Sequence, residues 1–216
     1  MKKNIIMIVN PISGGIDKSE LIEITALYAV KQYLNFILYE TSGDDDISKI
    51  KALYKTYKPE RIIVAGGDGT IKMVADAMEK QDVILGILPV GSFNGLSVDL
   101  NLPGTLDENL AIAFHNDYME IDMIDINGKK SLHLSDIGLN AELIKNYEKS
   151  EIHGRWGYSL QTITTLNELE EPFSATITVN NHIIECAARR IVIANPIKYG
   201  TGVAINPEGP LDDGNS

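Results

Sequence analysis

The sequence of 216 residues predicts an α/β N-terminal domain with a parallel sheet and a glycine-rich Gly-Gly-Asp-Gly-Thr loop, followed by part of a β-rich antiparallel domain. Three observations predict this class. Across residues 1–120, short β-type runs alternate with segments whose apolar residues recur at three-and-four spacing, the pattern of strands joined by crossover helices. The runs end in loops built from Gly, Ser, Thr and Asn. From about residue 120 the helical spacing gives way to residue alternation punctuated by Asn-Gly and Asn-Asn, which are turn signals between antiparallel strands. The expected domains are 1–120 and 121–216.

The elements follow in order. Ile5–Val9 is rich in β-branched residues and stops at Asn10-Pro11, where proline turns the preceding residue away from helix. A helix follows over about Lys18–Tyr33, with an expected inner face of Leu21, Ile24, Thr25, Tyr28 and Gln32. Phe36–Glu40 is the second strand. Asp44–Asp46 open a helix to about Tyr57, with Ile47, Ile50, Leu53, Tyr54 and Tyr57 inward. Three consecutive aspartates fit a helix N-terminus, where the dipole favours negative charge. Ile62–Ala65 is the third strand, Thr70–Glu79 a helix burying Val74, Ala77 and Met78, and Val83–Leu88 a fourth, centrally placed strand. Leu106–His115 completes the α/β half. Beyond it, Met119–Ile126 and Ser131–Ile137 read as a hairpin across Asn127-Gly128. Arg155–Leu169 reads as a helix, with Trp156, Leu160, Ile163 and Thr164 on one face. Thr176–Val179 and Ile183–Ala187 form a second hairpin, and Arg189–Ala194 is a further strand.

Composition narrows the function. Nineteen basic against thirty acidic side chains leave a net charge of −11. The deficit is shared by both halves, so there is no basic footprint for nucleic acid. It also disfavours permanent attachment to an anionic membrane, while allowing a transient surface contact. A lone cysteine, Cys186, fits a reducing compartment such as the cytoplasm. The four histidines are too dispersed for a zinc site. The apolar run Ile5–Val9 is too short for a signal peptide, and no stretch reaches the ~20 apolar residues of a membrane span.

Four loops, Asn10–Gly15, Thr41–Gly43, Gly66–Thr70 and Gly91–Gly95, follow the candidate parallel strands. Loops at the carboxyl ends of an open parallel sheet form its ligand crevice. Their backbone N–H groups and hydroxyls suit phosphate. Gly66, Gly67 and Gly69 let the backbone turn tightly and approach a phosphate chain, with Thr70 at the following helix start. Asp68 is unsuited to bare phosphate but suited to a phosphate-bound Mg²⁺ or its waters. A Walker A loop and a dinucleotide fingerprint both fail on spacing.

The loop Gly66-Gly67-Asp68-Gly69-Thr70, together with Asn10-Pro11-Ile12-Ser13-Gly14, resembles the diacylglycerol kinase catalytic family, which includes sphingosine kinases and bacterial lipid kinases. NAD kinases share the first motif, and the Asn-Pro-x-Ser-Gly opening separates the lipid kinases from them. Pro89-Val90-Gly91-Ser92-Phe93-Asn94, Gly154-Arg155-Trp156-Gly157-Tyr158 and the segment from Asn195-Pro196 through Pro207 to Asp212-Asp213-Gly214 resemble further family stretches in the same order. The resemblance implies ATP-dependent phosphorylation of a hydroxyl on a diacylglycerol- or sphingosine-like lipid. It makes 1–120 a nucleotide-binding domain and 121–216 a lipid-binding domain. Asn10, Thr41, Gly66, Gly67, Asp68, Gly69, Thr70, Ser92 and Asn94 would contact the nucleotide, with Asp68 organising Mg²⁺–ATP. Bacterial members also bind a structural metal near the late Asp-Gly, which points to Asp213 with carbonyls such as those of Pro210 and Asn215. From the residues alone, Asp212-Asp213-Gly214 reads more readily as a turn than as a metal site, and the resemblance brings the two readings level.

Departures from the family pattern bear on activity. The family continues its glycine loop with Asn-Glu, whereas Lys72-Met73 stand here, and Lys72 reads as a solvent-facing helical lysine. Gly95 replaces an aspartate or histidine, and Ser92 replaces a threonine while keeping the hydroxyl. The family's candidate base lies in an Asp-Gly-Glu motif beyond the Asp-Gly segment, and this sequence ends two residues after Gly214. The lipid-binding half is therefore expected to be truncated and the chain to lack its general base. Two alternatives stand beside a lipid kinase: a non-catalytic nucleotide- or lipid-binding protein, and a kinase of a non-lipid acceptor such as NAD. A homodimer is compatible with the sequence.

Overall fold

Consecutive β-branched residues with no polar alternation form strands buried on both faces, and these make the centre of the N-terminal region. In a computed structural model that describes residues 2–91, 94–115, 117–132, 134–138, 172–194, 198–199 and 203–204, such strands are β1 (Asn4–Val9) and β3 (Arg61–Gly66), flanked by the more exposed β2 (Asn35–Glu40) and by β4 (Ile84–Pro89), which is partly buried and lies at the edge of the described sheet, not at its centre. They form one parallel sheet in the order β2-β1-β3-β4. Ile6 sits opposite Ile37 on one side and Ile62 on the other. Ile62 in turn faces Leu85.

Alternation along β1 and β3 sends side chains to two cores. Ile6, Ile8, Ile62 and Val64 bury beneath α2 (Asp46–Tyr57) and α3 (Asp68–Met78), against Ile50, Ile71, Val74 and Met78. Ile5, Met7, Val9, Ile63 and Ala65 pack on the other face with Leu21 and Ala29 of α1 (Ser19–Lys31) and Leu110 and Ala113 of α5 (Leu106–Phe114). The sheet is thus covered by helices on both sides, as parallel connections require. The expected inner faces hold at their centres and fail at their ends. Gln32 lies past the end of α1 as its exposed C-cap, while Ile47 and Tyr57, in the first and last turns of α2, are partly open to solvent.

Arg61 ties β3 to the end of α5. It is 9% exposed, and its guanidinium donates to the carbonyl of Ala113 at 3.0 Å and to that of His115. These are terminal helix carbonyls without intrahelical partners, so the cation satisfies them and complements the helix dipole. Burial pushes the guanidinium pKa down, opposed by Glu60. Gly86 lets α5 lie close to β4, because a Cβ there would collide with the Ala113 carbonyl.

Antiparallel pairs follow. β5 (Ile124–Ile126) and β6 (Lys129–Ser131) flank Asn127-Gly128, whose φ angles of +52° and +80° suit a tight two-residue hairpin turn. The expected second arm, Ser131–Ile137, is not one strand. Leu132 leaves the ladder to bury in the core beneath α3, and β7 (Leu134–Gly138) pairs instead with β10 (Arg190–Ala194). β8 (Phe173–Val179) and β9 (His182–Ala188) form the other expected hairpin across Asn180-Asn181. β11 (Lys198–Tyr199) and β12 (Val203–Ala204) are short. The expected helix 155–169 lies outside the described residues. The chain divides into two compact units, 1–133 with 195–216, and 134–194. Among the described residues no helix is long and apolar enough to cross a membrane.

Replacing Arg61 with Ala leaves the Ala113 and His115 carbonyls without their charged donor. Its expected cost is about 2–4 kcal/mol of unfolding free energy, read as a lower urea midpoint at unchanged m.

Candidate functional site

The crevice begins where β3 runs into α3. Gly66 ends the strand, Gly67 is extended at φ −94°, ψ −173°, and α3 starts at Asp68, two residues earlier than its spacing predicts. The Gly67 carbonyl accepts the Thr70 and Ile71 N–H groups at 2.9 and 3.1 Å, which closes the first helical turn. A Cβ on Gly66 would stand 2.5 Å from Thr70 Oγ1, so this position takes no side chain while Thr70 is packed beneath it. Asn10, following β1, donates from Nδ2 to Thr70 Oγ1 at 3.4 Å and accepts the Ile12 N–H on Oδ1 at 3.2 Å. Asn10 thus bridges the β1 loop to the start of α3.

The loop after β4 closes the other side. A Cβ on Gly91 would collide with Gly67 Cα and stand 2.7 Å from its nitrogen. Asn94 holds this loop through a reciprocal pair with Gly91: the Gly91 N–H donates to Oδ1 at 3.0 Å, and Nδ2 donates to the Gly91 carbonyl at 3.0 Å. A short helix unforeseen from the sequence, α4 (Gly95–Asp99), follows. Asp68 accepts the Gly95 N–H on Oδ2 at 2.8 Å and the Leu96 N–H on Oδ1 at 3.1 Å. The helix escapes sequence reading because it has five residues and its cap comes from 27 positions upstream. Gly95, where the family pattern has a charged side chain, contributes a backbone donor.

Asn10, Gly66, Gly67, Asp68, Thr70 and Asn94 are therefore joined by direct contact or hydrogen bond, and Gly69 lies in the first turn of α3. Thr41 follows β2 beside β1, its N–H donating to the Val9 carbonyl at 2.8 Å. Ser92 and Asp213 lie outside the described residues. Lys72 forms an i, i+4 ion pair with Asp76 at 2.5 Å, in keeping with a helix-surface role.

The third of the Asp44–Asp46 carboxylates organises the β2–α2 loop. Asp46 is 6% exposed and accepts the Tyr39 hydroxyl at 2.5 Å, the Ser42 N–H at 3.0 Å and the Gly43 N–H at 2.8 Å. Burial by itself would raise its pKa. The donors from Tyr39, Ser42 and Gly43 outweigh that and hold the carboxyl below the usual aspartate value. Burial, and then the bond to Asp46, push the Tyr39 phenol up to about 12.

These residues fit a nucleotide triphosphate accompanied by Mg²⁺. Gly66 and Gly91 let the loops close on each other, since a Cβ at either would meet protein atoms, whereas the Cβ position of Gly69 faces open space. Among the described residues no group of three or more His, Cys, Asp or Glu could cage a metal. Mg²⁺ bound mainly by phosphates and water needs no such cage. Each Asp68 oxygen accepts one N–H and keeps a lone pair for a metal-bound water.

Comparison with known proteins agrees with this geometry. The family described as diacylglycerol kinase catalytic domain matches residues 4–126. A Staphylococcus haemolyticus protein named "Putative lipid kinase" is 29% identical over 198 residues, covering 87% of this chain and 63% of its own length. A Staphylococcus aureus protein (strain MSSA476) with the same kind of name is 26% identical over 196 residues, 87% of this chain and 64% of its own. The chain thus spans less than two thirds of these relatives. The crystal structure of a diacylglycerol kinase from Bacillus anthracis str. Sterne shares the fold, with a TM-score of 0.74 at 24% identity, over 98% of this chain and 71% of the other.

Two outcomes test the geometry. Gly91→Ala forces the β3 and β4 loops apart and is expected to cost about 1–3 kcal/mol in denaturant unfolding. The Asp46 contribution is present above the unfolded carboxyl pKa, near 3.8, and is lost as pH falls through the lower folded value. Asp46→Asn is therefore expected to lower the thermal midpoint at pH 7 and to narrow the gap to the native protein on titration below that pKa.

Proposed function

The chain belongs to the diacylglycerol kinase catalytic domain family, and on that premise we propose that it transfers the γ-phosphate of ATP to a hydroxyl of a diacylglycerol- or sphingosine-like lipid. The observation that carries the reading is the contact of the Gly67 and Gly91 backbones beneath Asp68. A crevice floored by peptide groups, with a carboxylate at its edge, suits a phosphate chain and its metal.

Phosphoryl transfer needs placement and charge neutralisation more than covalent help. Gly66, Gly67 and Gly69 let the backbone approach the phosphates, and Thr70 and Asn10 hold that turn in place. Thr41 and Ser92 add hydroxyls, and Asn94 keeps its own loop closed on Gly91. Asp68 would hold Mg²⁺ through its waters, and the metal would supply charge neutralisation for the phosphates. The lipid is met at a membrane surface in a transient contact, in keeping with a net charge of −11. No residue of the crevice is assigned as base for the acceptor hydroxyl.

The test is transfer of radiolabel from γ-labelled ATP with Mg²⁺, offered separately to vesicles containing diacylglycerol, vesicles containing sphingosine, and NAD. Label in a lipid fraction is the expected outcome, with Asp68→Ala lowering kcat/KM about a hundredfold. Label on NAD alone would replace the lipid with a nucleotide acceptor. Mg²⁺–ATP binding without transfer to any of the three would leave a nucleotide-binding protein.

A further inference from the structure

Lys18 is 4% exposed, and no step so far uses it. It stands at the N-cap of α1, a helix of 13 residues. Its ammonium donates to the Ser13 carbonyl and to the Ile16 carbonyl, each at 2.6 Å. Burial disfavours the charged form, and a helix N-terminus repels positive charge. The Lys18 pKa is accordingly pushed down by burial, with Asp17 opposing. A methionine would fill similar space without either cost, but would leave the Ser13 and Ile16 carbonyls without their donor.

The two carbonyls bracket Gly14 and Gly15, both left-handed at φ +68° and +64°. A trans peptide points its N–H opposite to its C=O. With the Ser13 carbonyl turned onto Lys18, the Gly14 N–H therefore faces away from the ammonium. Gly14 lies against the β4 loop: a Cβ on it would stand 2.6 Å from the Val90 carbonyl oxygen. The next residue of that loop, Gly91, touches Gly67. Lys18 thus bolts the first member of a row of backbone contacts running from Gly14 through Val90-Gly91 to Gly67.

We propose that Lys18 is a positioning residue for phosphate binding: its buried ammonium clamps the Ser13 and Ile16 carbonyls and so sets the β1–α1 loop against the crevice. The assignment rests on the nucleotide-binding reading above. A phosphate group bound near the loop would add to the two carbonyls and Asp17 in offsetting the cation's charge.

The experiment pairs calorimetric titration of Mg²⁺–ATP with thermal midpoints for the native chain, Lys18→Met and Lys18→Arg. Expected is an affinity about tenfold weaker for Lys18→Met, or about 1.4 kcal/mol, measured at a temperature where the variant is fully folded. Lys18→Arg, which keeps charge and donors, is expected within about threefold of native. A purely structural lysine would instead lower the midpoint while leaving the Mg²⁺–ATP affinity of the folded variant unchanged, and that result overturns the assignment. So does native-like binding by Lys18→Met, or binding by Lys18→Arg as weak as that of Lys18→Met. If Lys18→Met does not fold, Lys18→Gln is judged by the same criteria, and failure of both to fold makes Lys18 a folding residue. Absence of Mg²⁺–ATP binding by the native chain overturns the nucleotide reading itself, and this inference with it.

Discussion

The carboxylate of Asp68 accepts N–H bonds from Gly95 and Leu96 while Gly91 lies so close to Gly67 that a methyl group would not fit between them. This one junction joins the loops after β3 and β4, starts α4, and sets the side of the crevice opposite Asn10. Its peptide groups come together because the neighbouring strands are already in register, with Gly66 opposite Pro89. The sheet brings the loops near each other, and the glycines allow the last ångströms of approach.

That register depends in turn on burial. β1 and β3 are excluded from water on both faces, so a slip of one residue would exchange the side chains of two different cores. Polar groups are then used where apolar contact cannot fix a direction. Arg61 takes up the carbonyls ending α5, Asp46 gathers the β2–α2 loop, and Asn94 folds its loop back on Gly91. In each case one buried or half-buried side chain satisfies backbone groups that no ladder or helix could reach.

On the proposed reading, an anionic ligand and an acidic chain are reconciled by the same economy of parts. The crevice relies on peptide dipoles and small side chains, not on a cluster of exposed lysines, and Lys72 is turned to Asp76 along the helix. Net charge opposes anions over long distances, but screening limits it to roughly 8 Å at physiological salt. Local donors decide binding within that range. The Lys18 ammonium, buried and bonded to two carbonyls, is the positive charge closest in sequence to the left-handed Gly14-Gly15 turn.

Much of this was legible in the residues. Periodicity and β-branched runs determined the four parallel strands and the helices between them, because both faces of β1 and β3 had to be apolar. The glycine loop stood out because its composition exceeds what a turn requires, and the structure places it at the junction of the β3 and β4 loops. Hairpins at Asn127-Gly128 and Asn180-Asn181 followed from residues that tolerate positive φ. Local pattern could not supply the long-range contacts. It joined Ser131 to Ile137 as one strand, although Leu132 turns into the core and β7 pairs with residues more than fifty positions away. It missed α4, whose cap is Asp68, and it placed Lys18 only as the start of a helix. Sequence by itself determined which segments form elements, since periodicity is local. Only the tertiary structure decided which loops touch, because an unpaired carbonyl or N–H is met by whichever side chain the fold brings within about 3 Å.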